Sequence, residues 1–429
     1  MKPVEYTARL VDPIIAELIS ELPALLLTGP RATGKTTTAR RHAETVVRLD
    51  SEAEAGAFRA DPDAALRSLP EPVLLDEWQQ VPGVLGAVKR AVDNDSHPGR
   101  FILTGSVRGD LEAPMWPGTG RLVRLTMYGL TQRELHGAVH AADFIDRLAT
   151  ADLSSFPSPP DPPDLRHYIE MAVAGGFPDA TLGLAEASRE RWLDSYLDQL
   201  ITRDAVEVAH IRDPSRLRRC VEALALNSAG QTTEKSLYDA AGINRRTYVA
   251  YEQLLQNLMV LDVLPAWTTN RISRLARAPK RYLTDPSLMA TALRLDVNGV
   301  LRDSDLLGRV LDTFALSQLR PEVELSAKRP RLHHLRQEDG RREVDLIVEL
   351  GGQDVIGIEV KADAAPAAHD ARHLGWLRDT LGPRFIAGAV LHTGPRSYAL
   401  SDRIFALPLA SLWNAPQPTE RTKSGGRSG

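Results

Sequence analysis

The chain has 429 residues, 43% of them hydrophobic and 25% charged, with one cysteine and a formal net charge of −4. That length implies two or three domains with ample core. The lone Cys220 excludes an internal disulfide and any cysteine-based metal cluster, and it points to a reducing compartment. No apolar run approaches membrane-spanning length and the start, Met1-Lys-Pro-Val-Glu-Tyr, has no apolar leader core, so a soluble, cytoplasmic protein without a membrane partner is expected.

Residues 8–20 have helical apolar spacing and lead into Leu25-Leu-Leu-Thr28, which reads as a short buried strand. Next comes Gly29-Pro30-Arg31-Ala32-Thr33-Gly34-Lys35-Thr36-Thr37, opening a helical stretch to Ala43. Strand, glycine loop and helix in that order are what a phosphate-binding P-loop requires. Gly29 and Gly34 allow a tight turn close to a polyphosphate. Lys35 is placed to reach the β- and γ-phosphates, and Thr36 to offer its hydroxyl to Mg²⁺. Residues Gly29 to Thr37 are therefore the expected cradle, with ATP and Mg²⁺ as ligands.

Val46–Asp50 reads as a second strand, and residues 51–69 as helical around Pro62. Pro72-Val-Leu-Leu-Asp76-Glu77 is an apolar strand ending in two carboxylates, about forty residues after Lys35. Asp76 fits the carboxylate that holds Mg²⁺ through its water shell. Glu77 fits the general base that polarises the attacking water. Val84–Val92 is helical, and Arg100-Phe-Ile-Leu-Thr104-Gly-Ser106 is a strand with a polar end. Either Ser106 or Thr104 suits a group that senses water and γ-phosphate, and the pattern does not choose. Arg121, in Gly118-Thr-Gly-Arg121 before a fifth strand, is the candidate arginine finger, beside the plainer reading of a surface arginine. Alternating strands and helices imply an α/β P-loop NTPase core with a parallel sheet, spanning 1–150.

Residues 154–164 are a proline-rich break, and 165–228 read as helical apart from Gly175-Gly-Phe-Pro178. Ser236 to Leu255 holds two helices around a Gly-containing turn, a helix-turn-helix pattern whose second helix opens with Asn244-Arg245-Arg246. Arg245 and Arg246 are the candidate DNA contacts, with Val260–Leu264 and the basic run Arg271–Arg281 as a wing. Between His210 and Arg281 there are 12 Lys/Arg against 6 Asp/Glu, a local +6 that leaves −10 for the rest. That asymmetry suits a polyanionic partner, and it equally suits a solvated face. A helix at 303–319 precedes two strands, Arg342–Leu350 and Val355–Lys361, and the tail 414–429 has a disordered composition. Asp345, Glu359 and Lys361 would share one face, so that the two carboxylates could hold a divalent ion and the lysine could activate water.

With the P-loop, Asp76-Glu77 and Leu103-Thr-Gly-Ser106 in order, the chain resembles a group of bacterial and archaeal AAA-superfamily ATPases with a C-terminal region of unknown function. The similarity continues through Gly175-Gly-Phe-Pro178, Trp192-Leu-Asp-Ser-Tyr196, Arg203-Asp204, Leu264-Pro-Ala-Trp-Thr-Thr-Asn270, Pro279-Lys-Arg-Tyr-Leu-Thr-Asp285, Glu343-Val-Asp345 and Glu359-Val-Lys361. It implies an ATPase core with an added strand between the P-loop strand and the Asp76 strand, a winged helix within 165–300, and a nuclease-like fold over 301–413. The last segment resembles the PD-(D/E)xK nucleases, whose helical glutamate is replaced here by the shorter Asp312 in Leu311-Asp312-Thr-Phe. An active nuclease and a degenerate fold kept for binding are both open. Winged helices of this superfamily also often pack on the core without touching DNA.

The expected activity is Mg²⁺-dependent ATP hydrolysis driving a conformational switch in the C-terminal half, with nucleic acid as the favoured partner. A signalling switch acting through a protein partner or a homo-oligomer is one alternative, and an ATP-gated metal-dependent nuclease is another.

Overall fold

The computed structural model of the chain describes residues 5–106, 120–205, 213–270, 277–337 and 340–415. Strands β1 (Ala24–Thr28), β2 (Thr45–Arg48), β3 (Val73–Asp76), β4 (Phe101–Gly105) and β5 (Val123–Thr126) form one sheet in the order β2-β3-β4-β1-β5. Every pairing is parallel. Because β1, β3 and β4 are buried at every residue, they read as continuous apolar runs and not as alternating ones. Helices α1 (Asp12–Glu21) and α2 (Lys35–Arg40) cover one face, packing on Leu25, Leu27, Leu74 and Ile102. Helices α3 (Glu52–Ala60), α4 (Pro62–Leu66) and α5 (Gly83–Asn94) cover the other, over Leu26, Leu75 and Leu103. The strand inserted between β1 and β3 is β4, the P-loop NTPase topology that the resemblance implies.

A helical region follows: α6 (Gln132–Leu135), α7 (Phe144–Leu148), α8 (Leu165–Ala174), α9 (Pro178–Gly183) and α10 (Glu186–Gln199), which runs on into a π-helical turn, Leu200–Asp204. Then come α11 (Pro214–Leu226), α12 (Glu234–Ala240) and α13 (Arg245–Asn257). Thr233 caps α12 by accepting from Ser236 N at 3.2 Å, and Asn244 caps α13 by accepting from Thr247 N at 2.9 Å. The strands β6 (Leu261–Leu264) and β7 (Lys280–Leu283) pair antiparallel, and α14 (Pro286–Leu293) and α15 (Val297–Arg302) close the region. Most of the expected basic wing, residues 271–276, lies outside the described residues, as does the tail from 416 onward.

The long helix α16 (Ser304–Leu325) leads into a six-stranded sheet. Its strands are β8 (Arg331–Gln337), β9 (Arg342–Glu349), β10 (Val355–Val360), β11 (Phe385–His392), β12 (Tyr398–Ser401) and β13 (Ile404–Pro408), in the order β12-β13-β11-β10-β9-β8. Helix α17 (Arg372–Leu381) joins β10 to β11 and packs with Trp267 on one face. The other face continues into the core of the helical region. Only two of these strands stand out in the sequence, because short apolar runs such as Ile404–Pro408 have no period that separates strand from buried helix.

Helix α16 is expected to stop near 319, yet it continues through Pro321 to Leu325. Its last turn is tied down by Glu322, which pairs with Arg133 at 2.5 Å and accepts from Phe144 N at 2.9 Å, so tertiary partners override the proline. No described helix is long and apolar enough to cross a membrane.

Candidate active site

The P-loop leaves the end of β1 through Gly29, where an added Cβ would sit 2.0 Å from the Met127 carbonyl oxygen. Only glycine fits that approach. The turn closes at Gly34, which has φ +90°, in the left-handed region where a side chain is strained. Lys35 is buried, and its ammonium donates to Gly29 O at 3.0 Å and Pro30 O at 2.7 Å. Burial pulls its pKa down to about 8, while the charges of Glu77 and Asp76 oppose that pull.

The loop is held from outside by Arg9, a buried residue that no sequence pattern singles out. Its guanidinium donates to Thr33 O at 2.8 Å, Tyr128 O at 2.7 Å and Glu134 at 3.0 Å. Of the other cradle residues, Ala32 has a left-handed backbone (φ +58°), and Ala32 and Thr37 are exposed.

The carboxylates at the end of β3 divide their partners. Asp76 Oδ1 accepts from the Thr36 hydroxyl at 2.8 Å and also from the Thr104 hydroxyl. Glu77 takes a left-handed backbone (φ +54°), which swings it out of line with β3 into the turn Trp78–Gln80. Its Oε2 accepts from the Gln79 amide and from the Ser106 hydroxyl at 3.4 Å. The choice between Thr104 and Ser106 that the sequence leaves open thus resolves into two positions, one on each carboxylate. A hydroxyl and a carboxylate converging beside a buried lysine at a glycine loop fit a Mg²⁺-bound nucleoside triphosphate, which Thr36 and Asp76 would hold by its metal and Lys35 by its phosphates.

Residues 21–136 match the family model described as an AAA domain. This region has a P-loop NTPase fold and is similar to AAA domains. Residues 165–298 and 307–412 match two domains of unknown function, DUF8612 and DUF4143. Over 396 residues the chain is 28% identical to the uncharacterised protein Rv2008c of Mycobacterium tuberculosis, covering 90% of this chain and 80% of that protein. The uncharacterised protein Mb2031c of Mycobacterium bovis matches to the same extent, 28% over 396 residues with 90% and 80% covered. Among solved structures the Walker-type ATPase PABY2304 of Pyrococcus abyssi overlaps at a TM-score of 0.41 and 15% identity, covering 66% of this chain and 94% of its own.

Four residues outside the P-loop domain, Tyr196, Asp204, Pro178 and Gly176, reach its P-loop or the segment after β5. Tyr196 on α10 donates its hydroxyl to Arg31 O at 3.3 Å, and Asp204 in the π-helical turn pairs with the Arg31 guanidinium at 3.0 Å. Pro178 lies 3.7 Å from where a Cβ on Gly34 would be. Beside it Gly176 O accepts from Leu130 N at 2.6 Å and Gly176 N donates to Asp285 at 2.8 Å; a Cβ there would strike Leu130 O at 2.5 Å. The Gly175-Gly-Phe-Pro178 interruption is therefore a close-packed joint between the P-loop domain and the helices.

Arg121 is not brought to this cradle. It precedes β5, pairs with Asp93 at the end of α5 at 2.7 Å, and so lies by the N-terminal ends of β1 and β5, opposite the strand ends that carry the P-loop.

Arg245 and Arg246 are exposed at the start of α13, as expected, with Arg245 3.4 Å from Glu234. Much of the local positive charge is matched within the chain. Arg216 pairs with Asp213 at 3.1 Å, Arg218 with Asp198 at 2.5 Å and Lys235 with Asp239 at 2.6 Å. Lys280 and Arg281 are buried. The charge count therefore overstates the free basic surface.

At the C-terminal sheet Asp312 and Asp345 share one ammonium, and Lys361 pairs with Glu359 at 3.2 Å. Burial, with Asp345 close by, pushes the Glu359 carboxyl up to about 8. Sequence reasoning missed the residue between the two aspartates. Lys280 donates to Asp312 at 2.6 Å and to Asp345 at 3.3 Å. The one available signal was the alternation of Lys280 and Tyr282 on β7, which puts both on the face that meets Asp312. Among the described residues no group of three or more His, Cys, Asp or Glu is arranged to hold a metal ion.

Proposed function

We propose that this chain is a Mg²⁺-dependent ATPase whose nucleotide state is passed from the P-loop to the helical region and the C-terminal sheet, with nucleic acid as the partner. The observation that carries the ATPase reading is the paired arrangement at the end of β3, Thr36–Asp76–Thr104 for the metal and Glu77–Ser106 for water. Glu77 takes the proton of the attacking water, Ser106 orients its carboxylate, and Lys35 neutralises charge on the transferred phosphoryl group. Mg²⁺ held there by Thr36 and Asp76 would supply charge neutralisation for the phosphates. The switch reading rests on Arg31, a P-loop residue whose carbonyl and side chain are both held by α10 and its π turn.

Nucleic acid is favoured by the capped helix pair α12–α13 with Arg245 and Arg246 free of burial at its recognition end. A protein partner is the second reading. It is favoured by a cleft of about 1180 Å³ between α8, α10, α11 and α14, along which Glu186, Glu190, Asp194 and Asp198 follow one another at four-residue steps.

The experiment is ATP hydrolysis by wild type, Lys35→Ala and Glu77→Gln, joined to a DNA titration with and without ATP. Lys35→Ala should lose nucleotide binding, and Glu77→Gln should bind ATP with turnover down about 100-fold or more. Wild-type turnover in Glu77→Gln ends the assignment of the base. DNA affinity that is absent at low salt and unmoved by ATP ends the nucleic-acid reading and leaves the cleft.

A further inference from the structure

The hairpin β6–β7 and the C-terminal sheet meet at a buried cluster in which every carboxylate oxygen of the two aspartates is already used. Asp312 Oδ2 accepts from Lys280 Nζ at 2.6 Å, and Asp312 Oδ1 accepts from the Tyr282 hydroxyl at 3.2 Å. Asp345 Oδ1 lies 3.3 Å from the same ammonium, and Asp345 Oδ2 accepts from Val360 N at 3.0 Å. Lys280 is 1% exposed, and its ammonium also lies 5.3 Å from the centre of the Tyr282 ring.

A divalent ion bridging Asp312 and Asp345 would sit about 2.0–2.6 Å from an oxygen of each. The ammonium already occupies the space between those oxygens. Glu359, the third carboxylate, faces Lys361 at 3.2 Å, and its other oxygen is buried without a hydrogen bond, 3.9 Å from His373 Nδ1. The donor set of a metal-dependent phosphodiesterase is present in kind, but it is spent on cations that belong to the chain.

We infer that Lys280 is the resident cation of this carboxylate site, standing where a divalent ion would be held, so that the cluster fastens the hairpin to the C-terminal sheet and takes up neither Mg²⁺ nor Mn²⁺. The hairpin is anchored independently beside it. Trp267 N donates to His334 O at 2.6 Å, His334 N donates to Pro265 O at 3.1 Å, and the His334 ring meets Ala278 O at 3.1 Å. Withdrawal of Lys280 would strand two buried like charges, so the lysine does not exchange with solvent metal while the chain is folded. The ATP-gated nuclease reading loses its metal by this route, whereas the ATPase reading does not depend on it.

The test uses the full chain without nucleotide and Mn²⁺ alone as the probe. Equilibrium dialysis should give the same Mn²⁺ uptake for wild type and Asp345→Asn, because the cluster itself contributes none. Loss of one equivalent in Asp345→Asn overturns the inference. Lys280→Met should have a lower thermal midpoint than wild type, and millimolar Mn²⁺ should restore several degrees of it by replacing the lost cation. That recovery should vanish in Lys280→Met/Asp345→Asn. A folded Lys280→Met that is indifferent to Mn²⁺ also overturns the inference, since the cluster would then be no cation site at all. If Lys280→Met does not fold, the dialysis comparison decides alone.

Discussion

Arg31 and Asp204 form an ion pair of 3.0 Å that joins the P-loop to the π-helical turn at the end of α10. The two residues are far apart in sequence, and Asp204 is buried while Arg31 is half-buried. A π turn makes a local departure from regular i→i−4 bonding, and such departures cluster at functional sites. Here the turn places a carboxylate against the P-loop.

Breaking that pair should uncouple the nucleotide from the helices without emptying the cradle. Asp204→Asn keeps the side-chain volume and should cost about 1–2 kcal/mol of stability by denaturant titration. ATP binding should stay within several-fold of wild type. The difference in protease cleavage pattern between ATP-bound and free protein, expected in wild type, should disappear. A variant with an unchanged ATP-dependent pattern would remove Arg31–Asp204 from the relay.

Thr104 and Ser106 should fail in different ways, because one serves Asp76 and the other Glu77. Thr104→Ala frees the metal-side carboxylate and should raise the Mg²⁺ concentration needed for half-maximal hydrolysis. Ser106→Ala should lower kcat about tenfold or more, with little change in KM and in the Mg²⁺ requirement. Steady-state kinetics across a Mg²⁺ series separates them, and identical profiles would refute the division.

Lys35 makes nucleotide binding depend on pH. Burial holds its pKa at about 8, below its ordinary value of 10.5. Between those values the unfolded chain holds a proton that the folded chain has released, so this group's contribution to stability rises with pH there. Affinity for ATP runs the other way, since the phosphates need the ammonium. The Kd for ATP should rise above pH 8 by up to about tenfold per pH unit. Binding near pH 9 should take up a proton, read by calorimetry in buffers of different ionisation enthalpy. Binding without proton uptake at that pH would show that Lys35 is already charged in the empty cradle.

If α13 reads a duplex, Arg245→Ala with Arg246→Ala should weaken DNA binding and reduce the salt slope by about one unit for each phosphate that is no longer neutralised. Both residues are exposed at the first turn of α13, so the thermal midpoint should stay close to that of wild type. Equal affinity for the two proteins would move the partner from nucleic acid to a protein at the cleft between α8, α10, α11 and α14.

The sequence alone determines the P-loop, the two carboxylates ending β3, the parallel α/β core and the helix pair around Arg245. Each is written in a contiguous stretch whose spacing dictates local conformation: a strand, a glycine loop, a helix start, or an apolar run ending in charge. The tertiary structure alone decides what those groups touch. Thr104 and Ser106 differ by two residues on one strand end, yet a left-handed backbone at Glu77 sends one carboxylate to each. Arg9 is one arginine before a helix until folding brings it under Thr33. Lys280 reads as part of a basic run, but the docking of β7 on the C-terminal sheet buries it between Asp312 and Asp345. Pairing of charges across elements leaves no period in a sequence, because the partners are set by which faces must bury together, and only the folded chain specifies that.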